Sequence, residues 1–561
     1  MPRSTKYIFV SGGVLSGLGK GTVAASLGYL LQQHGLKVAP IKCENYLNFD
    51  SGLINPIEHG DPFLCADGAE TDMDLGTYER FLNQNLSLKN FITMGQIYKA
   101  VIDKERSFAY GGEDVEAIPH VTDEIISRFK LVADESRADV VVIELGGTAG
   151  EYQNALYYEA SRIMKLKQQA TVVHIHVTYV PTPKHLGEPK TKPTQLSVKY
   201  LNSMGIQPDF IVCRGEAVLD GRRRERLALF ANLPESGIIS APDLNSVYEL
   251  PLVFAKQNFS QKILRQLNLP ITPLKLRDWK RLNRTIRSPK NQTVAVAIVG
   301  KYFATGAYQL NDSYAALYEA LNHAAWAKGL GLKIVSVNSE IIDNLQEKLT
   351  MVDGVIVPIG WGPRGTAGMI EAIRFAREKR VPYLGLCFGM QLAVVEFARN
   401  VAGLTEANST EIDPKTKKPV IHIIPEQKRN LSLRAYGGTM RLGAWEEKIK
   451  PGTLASKIYR RERVSERHRH RYEFNDAFAA RLENAGLVIS GRSVKENLVE
   501  LIELPESVHP FFLGTQGHPE YQSRPLQPHP VFLSFINACA QVRPSVKSRK
   551  SYGINGKTPK H

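Results

Sequence analysis

Cys387 stands in the stretch YLGLCFGMQ, from Tyr383 to Gln391, between a short apolar run and a helix-like segment. A nucleophilic cysteine works as its thiolate, and an unperturbed thiol pKa of about 8.5 leaves only a few per cent ionised at neutral pH. Placement between strand and helix helps, because Gly385 and Gly389 permit a sharp turn and the helix N-terminus favours the anion. A cysteine so placed is more often an inert buried thiol, so a base has to be found before it reads as a nucleophile. The segment FFLGTQGHPE, Phe511 to Glu520, supplies one. His518 and Glu520 are two residues apart after an apolar strand, and extended chain would project both from one side. His518 would take the thiol proton and Glu520 would orient the ring. Attack on an amide also needs donors for the developing oxyanion, which the glycine-rich backbone of GVIVPIGWGPRG, Gly354 to Gly365, could offer. The chemistry is release of ammonia from an amide, and the side chain of glutamine fits it best.

A second group of residues points to phosphates. SGGVLSGLGKGT, Ser11 to Thr22, lies between the first strand and the first helix, where backbone amides can hold a phosphate. It departs from the regular GxxxxGK[ST] loop, with Val14 where the first glycine belongs and Gly21 where Ser or Thr belongs. Glu144 closes a strand ahead of GGTAG, and DGAETDMD (Asp67 to Asp74) supplies further acids; one or two of these carboxylates would hold Mg²⁺. KTKPTQ, Lys190 to Gln195, alternates cations with hydroxyls. It reads as too short and too proline-broken for a helix, and in extended chain its two ammonium groups point the same way, as a triphosphate requires.

These residues need elements to position them. At 561 residues and 43% hydrophobic content the chain is long enough for two cores. Strand-like and helix-like segments alternate through an N-terminal domain (1–272) and resume at Thr293 in a second (292–542), so both should be α/β with mostly parallel sheets. Between them 273–291 reads as a basic interdomain linker of weak periodicity, and 543–561 as a basic, disordered tail. Those two short segments carry +12 of the formal +15 charge, which leaves too little elsewhere to mark a nucleic-acid partner. Cys43, Cys65, Cys213, Cys387 and Cys539 form no CxxC pair and should be reduced thiols. No apolar run reaches the roughly 18 residues of a membrane span and none has signal-peptide flanks, so the expectation is a cytoplasmic protein without a membrane partner.

The motifs YIFVSGG, LGKG, ADGAETDMDLGTYERF, VIELGGTAG, GEPKTKPTQLSVK, GLCFGMQ, EANSTE, GGTMRLG, ERHRHRYE and HPE, in this order, resemble those of the CTP synthase family, over nearly all of residues 6–540. The resemblance implies a P-loop-like parallel-sheet amidoligase domain followed by a class I glutamine amidotransferase domain. It implies that Cys387, His518 and Glu520 hydrolyse L-glutamine, held by Gly360, Phe388, Gly389, Met390, Gln391, Glu411 and Arg471. ATP, as co-substrate, would lie on Gly17, Leu18, Gly19, Lys20, Gly21, Thr22 and Asp74, with Mg²⁺ on Asp74 and Glu144. UTP, and CTP as feedback inhibitor, would contact Ser16, Glu151, Tyr152, Gln153, Lys190, Thr191, Lys192, Pro193, Thr194, Gln195 and Arg226. Phosphorylation of UTP at O4 followed by displacement with ammonia would give CTP. GTP activation and a homotetramer are further implications.

The chain departs from the family pattern in places. Glu151 and Gln153 stand where the family has Asp-x-Glu, Glu116 where it has Gln, Glu44-Asn45 where it has Asp-Pro, Ile359 for a Gly, Gly517 for a Phe and Arg226 for a Lys. An ionised Glu116 only accepts hydrogen bonds, where a glutamine also donates. A working CTP synthase is the leading reading; an amidoligase with another acceptor base or altered CTP feedback is the second, and a nucleotide-sensing or polymer-forming protein without turnover the third.

Overall fold

A computed structural model of the chain describes residues 5–56, 60–167, 171–303 and 311–541; the tail at 543–561 lies outside them. The N-terminal domain is built on a seven-stranded sheet, every neighbouring pair parallel. Its spatial order is Phe91–Thr93, Val38–Glu44, Val140–Leu145, Lys6–Gly12, Val172–Tyr179, Phe210–Gly215, Ile238–Pro242. The central strands are buried on both faces because helices cover both sides. Parallel register sets side chains of neighbouring strands side by side. It pairs Lys42 with Glu144 and Ser11 with His176, and each of these pairs makes a hydrogen bond.

The second domain holds a nine-stranded mixed sheet. Five strands, Gly331–Asn338, Thr293–Gly300, Gly354–Val357, Tyr383–Leu386 and Phe512–Thr515, run parallel, and four antiparallel strands extend it to Arg463–His470. Strand Tyr383–Leu386 lies beside Phe512–Thr515, with Leu386 opposite Thr515. The segments that follow these two strands therefore start next to each other.

Two local expectations change. Within 273–291 the chain forms the helix Arg277–Arg287, with Trp279 and Leu282 buried in the core of the first domain. Its apolar stripe is narrow, Trp279, Leu282 and Ile286 at spacings of three and four, and basic residues between them mask the period. The second change is at Lys192–Ser203, which is a helix with Pro193 in its first turn. A proline there gives up an N–H that has no helical partner anyway, so it starts the helix instead of breaking it.

The domains meet over a buried polar seam. Successive residues of a strand point to opposite faces, so in Arg463–His470 the side chains of Arg467 and Arg469 reach the first domain while His468 and His470 turn inward. Arg467 pairs with Glu79 at 2.8 Å and Arg469 with Glu70 at 2.6 Å. Among the described residues no helix is long and apolar enough to cross a membrane.

Candidate active sites in the two domains

Cys387 ends the strand Tyr383–Leu386 and caps the helix Phe388–Asn400 with φ 51° and ψ −101°, a left-handed conformation costly for a residue with a Cβ. Its N–H donates to Thr515 O at 2.7 Å, tying the turn to the neighbouring strand. The turn is tight enough that a Cβ on Gly389 would come 1.9 Å from Val357 O. His518 follows that neighbouring strand and is fully buried, its Nδ1 2.7 Å from Glu520 Oε1. The two do not project from one side of extended chain as expected. Pro519 opens a 3₁₀ turn, Pro519–Gln522, and the turn faces Glu520 onto the imidazole. Burial opposes the imidazolium, yet the charges of Glu520 and of Cys387 outweigh it and lift the His518 pKa to about 10. The Tyr521 ring stacks on His518 at 5.2 Å, and Gln516 Nε2 lies 3.5 Å from Cys387 Sγ.

Around this centre Phe388, Gly389, Met390 and Gln391 form the first helical turn, and Gly360 packs against Phe388 so closely that a Cβ there would lie 3.1 Å from its ring. Glu411 accepts from Gly362 N at 2.7 Å, and burial raises its pKa to about 7, against the hydrogen bond and the charge of Lys301. Arg471 donates to Gln427 Oε1, Thr439 Oγ1 and Tyr436 O, so its guanidinium is engaged by the chain itself. Gly354 belongs at the far end of its strand, against Cys539, which leaves the Gly360–Gly365 end of that segment to supply backbone donors. Lys301, in the motif VGKY, is given no role at this site by residue spacing. It donates to Trp361 O and Gly362 O at 2.8 Å each, lies 4.6 Å above the Phe388 ring, and burial lowers its pKa to about 8.

The second cluster surrounds a cavity of about 620 Å³ between the domains. Gly17 to Thr22 and Asp74 line it from the first domain; Tyr318 and Glu319 line it from the second. Left-handed φ values at Gly17 and Gly19 turn the loop into the helix Lys20–Gln33. Lys20 Nζ donates to Gly147 O at 2.8 Å, and burial lowers its pKa despite the charge of Glu144. Asp74 and Glu144 converge behind Gly21, where a Cβ would stand 2.1 Å from Asp74 Oδ1 and 3.3 Å from Glu144 Oε2. Burial and the neighbouring Glu144 raise the Asp74 pKa to about 6. Lys42, a second residue that spacing alone did not reveal, bridges Asp74, Glu144 (3.0 Å) and Glu44 (3.2 Å), and Tyr78 donates its hydroxyl to Glu144. The other acids of DGAETDMD have separate tasks. Asp67 holds Ala69 N and Leu88 N, Glu70 pairs with Arg469, and Asp72 caps the helix Met73–Leu82.

The expected pyrimidine-nucleotide residues are more dispersed. The helix opened by Lys192 and Pro193 packs against the phosphate loop, since a Cβ on Gly13 would fall 1.6 Å from Ser197 Oγ. His176 bridges the two elements, 2.9 Å from Ser11 Oγ and 2.7 Å from Ser197 Oγ. Lys190 pairs with Glu188, Gln195 donates to Thr191 Oγ1, and Thr194 is buried against Thr178. Ser16, Lys192 and Arg226 are exposed, as are Gln153 and the almost fully exposed Tyr152. Arg223, one turn before Arg226, is the arginine that reaches the Lys190 segment, through Glu188 and Pro189 O. Two of the departures touch each other: Asn45 Nδ2 donates to Glu151 Oε2 at 3.0 Å, while Thr148 donates twice to Oε1. Beside Gly517 the room a larger side chain would need is occupied by Glu466, His468 and Glu447.

A family profile described as CTP synthase N-terminus matches residues 6–269, and one described as glutamine amidotransferase class-I matches residues 309–538. CTP synthase of Caldanaerobacter subterraneus subsp. tengcongensis is 49% identical over 541 residues, 96% of this chain and 99% of its own length. CTP synthase of Thermococcus kodakarensis is 47% identical over 552 residues, 98% of this chain and 100% of its own. Among solved structures, the glutaminase domain of Trypanosoma brucei CTPS with bound acivicin is 36% identical, with a TM-score of 0.40 over 44% of this chain and 94% of that one.

Proposed function

The chain belongs to the CTP synthase family and catalyses the glutamine-dependent amination of UTP to CTP, using ATP; on that premise we propose how its residues divide the work between two sites. Cys387 Sγ attacks the amide carbon of glutamine, and backbone amides at Gly360 and the start of the helix Phe388–Asn400 hold the oxyanion. His518, protonated at neutral pH, gives its proton to the departing ammonia, and Glu520 keeps the ring in place. Water then hydrolyses the thioester to glutamate. Glu411, Gln391 and Arg471 border the glutamine pocket; Arg471 has to release part of its present bonding to meet a substrate carboxylate.

At the second site Gly17 to Thr22 hold the phosphates of ATP and Lys20 turns from Gly147 O toward them. Asp74 and Glu144 suit Mg²⁺: two hard carboxylates converge behind Gly21, and a cation, Lys42, already lies between them. Bound there, the ion neutralises charge on the phosphates. UTP takes the γ-phosphoryl group on O4, and its own phosphates meet Lys190, Lys192, Gln195 and Arg226 with Ser16 at the loop. Support for this placement comes from the packing of the helix Lys192–Ser203 directly on the phosphate loop. Ammonia from the first site attacks C4 and phosphate leaves. Activation by GTP, feedback by CTP through Glu151 to Gln153, and a homotetramer complete the proposal. Exposed apolar side chains on the first domain, among them Tyr152, Tyr200 and Phe108, are consistent with burial against further copies.

One observation carries the two-site reading: adjacent strand ends set Cys387 beside His518 and Glu520, at the seam with the domain that holds the phosphate loop. Cys387→Ala should abolish CTP formation from glutamine and leave CTP formation from added ammonium salt. CTP and glutamate measured by chromatography and mass test this; a folded variant that loses both activities would contradict it.

A further inference from the structure

Ammonia made at Cys387 is consumed in the other domain, so the residues at the seam decide whether it arrives. Asp61 belongs in sequence to the first domain, yet its carboxylate is embedded beside the glutaminase centre and only 7% exposed. Tyr521, the neighbour of Glu520, donates its hydroxyl to Asp61 Oδ2 at 3.4 Å. Arg469 Nη1 lies 3.5 Å from Oδ1 without the geometry of a hydrogen bond, and among the described residues no group donates to Oδ1. A buried carboxylate oxygen left without a donor is costly unless a mobile molecule supplies one.

The cavities add an independent argument. Asp61 lines the 620 Å³ cavity that also holds Lys20, Asp74 and Glu144. It also lines a second, small space of about 10 Å³ bordered by Ile359, Glu520 and Tyr521, room for roughly one water-sized molecule. Among the described residues only Asp61, Met73 and Ala315 face both spaces, and of these Asp61 alone is polar. Burial raises the Asp61 pKa to about 6, with Arg469 and His518 pulling it down and Glu520 pushing it up. At neutral pH the group is therefore mostly ionised and accepts hydrogen bonds. Such a group can hold neutral NH₃ by one N–H and pass it on without a covalent step.

We propose that Asp61 is the hydrogen-bonding waypoint through which ammonia leaves the glutaminase centre and enters the synthase cavity. The proposal rests on the two-site reading above and adds a positioning residue to it. Glutamate and CTP are measured together for the full chain and for the variants Asp61→Asn, Asp61→Leu and Asp61→Glu, with glutamine and, separately, ammonium chloride as nitrogen donor. In Asp61→Leu, glutamate should still form while CTP per glutamate falls at least ten-fold, and glutamine-dependent CTP should fall at least ten-fold further than ammonium-dependent CTP. Asp61→Asn, which keeps the shape and loses the charge, should show the same direction with a smaller loss, and Asp61→Glu should retain most of the coupling. Asp61→Asn also decides the matter if the leucine variant does not fold. An unchanged CTP-to-glutamate ratio in both Asn and Leu variants overturns the proposal, as does an equal loss with both donors, which would make Asp61 structural. If the unaltered protein itself yields CTP only from ammonium chloride, the two-site reading falls and this inference with it.

Discussion

Individual side chains here take their properties from what they are buried against. Lys20 is a cation whose burial at the edge of the cavity favours its neutral form, a shift that a bound phosphate would oppose. Lys20→Ala should therefore stop CTP formation from glutamine and from ammonium salt alike, while glutamate formation at Cys387 continues; normal ammonium-dependent synthesis would remove Lys20 from the phosphate site. His518 gives a pH prediction whose sign follows from its raised pKa. The imidazolium is present below about pH 10 and is lost as pH rises through that value, so glutaminase activity should fall along the same limb. Replacing Glu520 removes the largest of the favourable charges, and Glu520→Gln should move this limb down by about 1–3 units. A pH profile of glutaminase kcat/KM in both proteins checks it, and an unmoved limb would mean that the limb belongs to another group.

At the scale of elements, the helix Arg277–Arg287 matters more than a tether would. Trp279 is buried, lies tilted against Tyr29 with ring centroids 4.2 Å apart, and donates from Nε1 to Tyr248 O at 2.7 Å. Tyr248 in turn bonds Glu319 and His323 of the second domain and lines the large cavity. The helix is thus a wedge behind a residue shared by both domains. Trp279→Ala should cost about 3–5 kcal/mol in denaturant unfolding, the usual loss for an aromatic core truncation. The same variant should weaken the KM for ATP, because Tyr248 loses its backing; a variant destabilised with an unchanged KM would separate the two roles.

For the whole molecule the informative contacts are the ion pairs of the seam. Arg467 and Glu79 are both 1% exposed on their side chains, so removing one leaves the other's charge buried without its main partner. Arg524 Nη2 lies 3.3 Å from the same Glu79 and remains as a partial partner. Arg467→Ala is therefore expected at the low end of a broken buried pair, about 3 kcal/mol. The loss should appear as two separated calorimetric transitions where the unaltered protein should give one, together with a reduced yield of CTP per glutamate. A single transition with unchanged yield would mean that Arg524 and Arg469 suffice to hold the domains together.

What the sequence by itself determined was the chemistry and the order of the elements: a thiol between strand and helix, a His and Glu two residues apart, a glycine-rich loop before a helix, and two α/β alternations. These were legible because each is local, set by turn geometry and by strand and helix periods within about ten residues. Only the tertiary structure decided the partners. Lys42 meets Glu144 through the register of two parallel strands, Arg467 meets Glu79 by domain docking, and Asp61 reaches Tyr521 and the His518–Glu520 pair from hundreds of residues away. The helix at Arg277–Arg287 was illegible for a related reason, since its narrow apolar stripe gains meaning only from the core it packs on. Buried charges leave no period in a sequence; they are tolerated where an opposite charge arrives from elsewhere in the fold, and that arrival is a property of the folded chain.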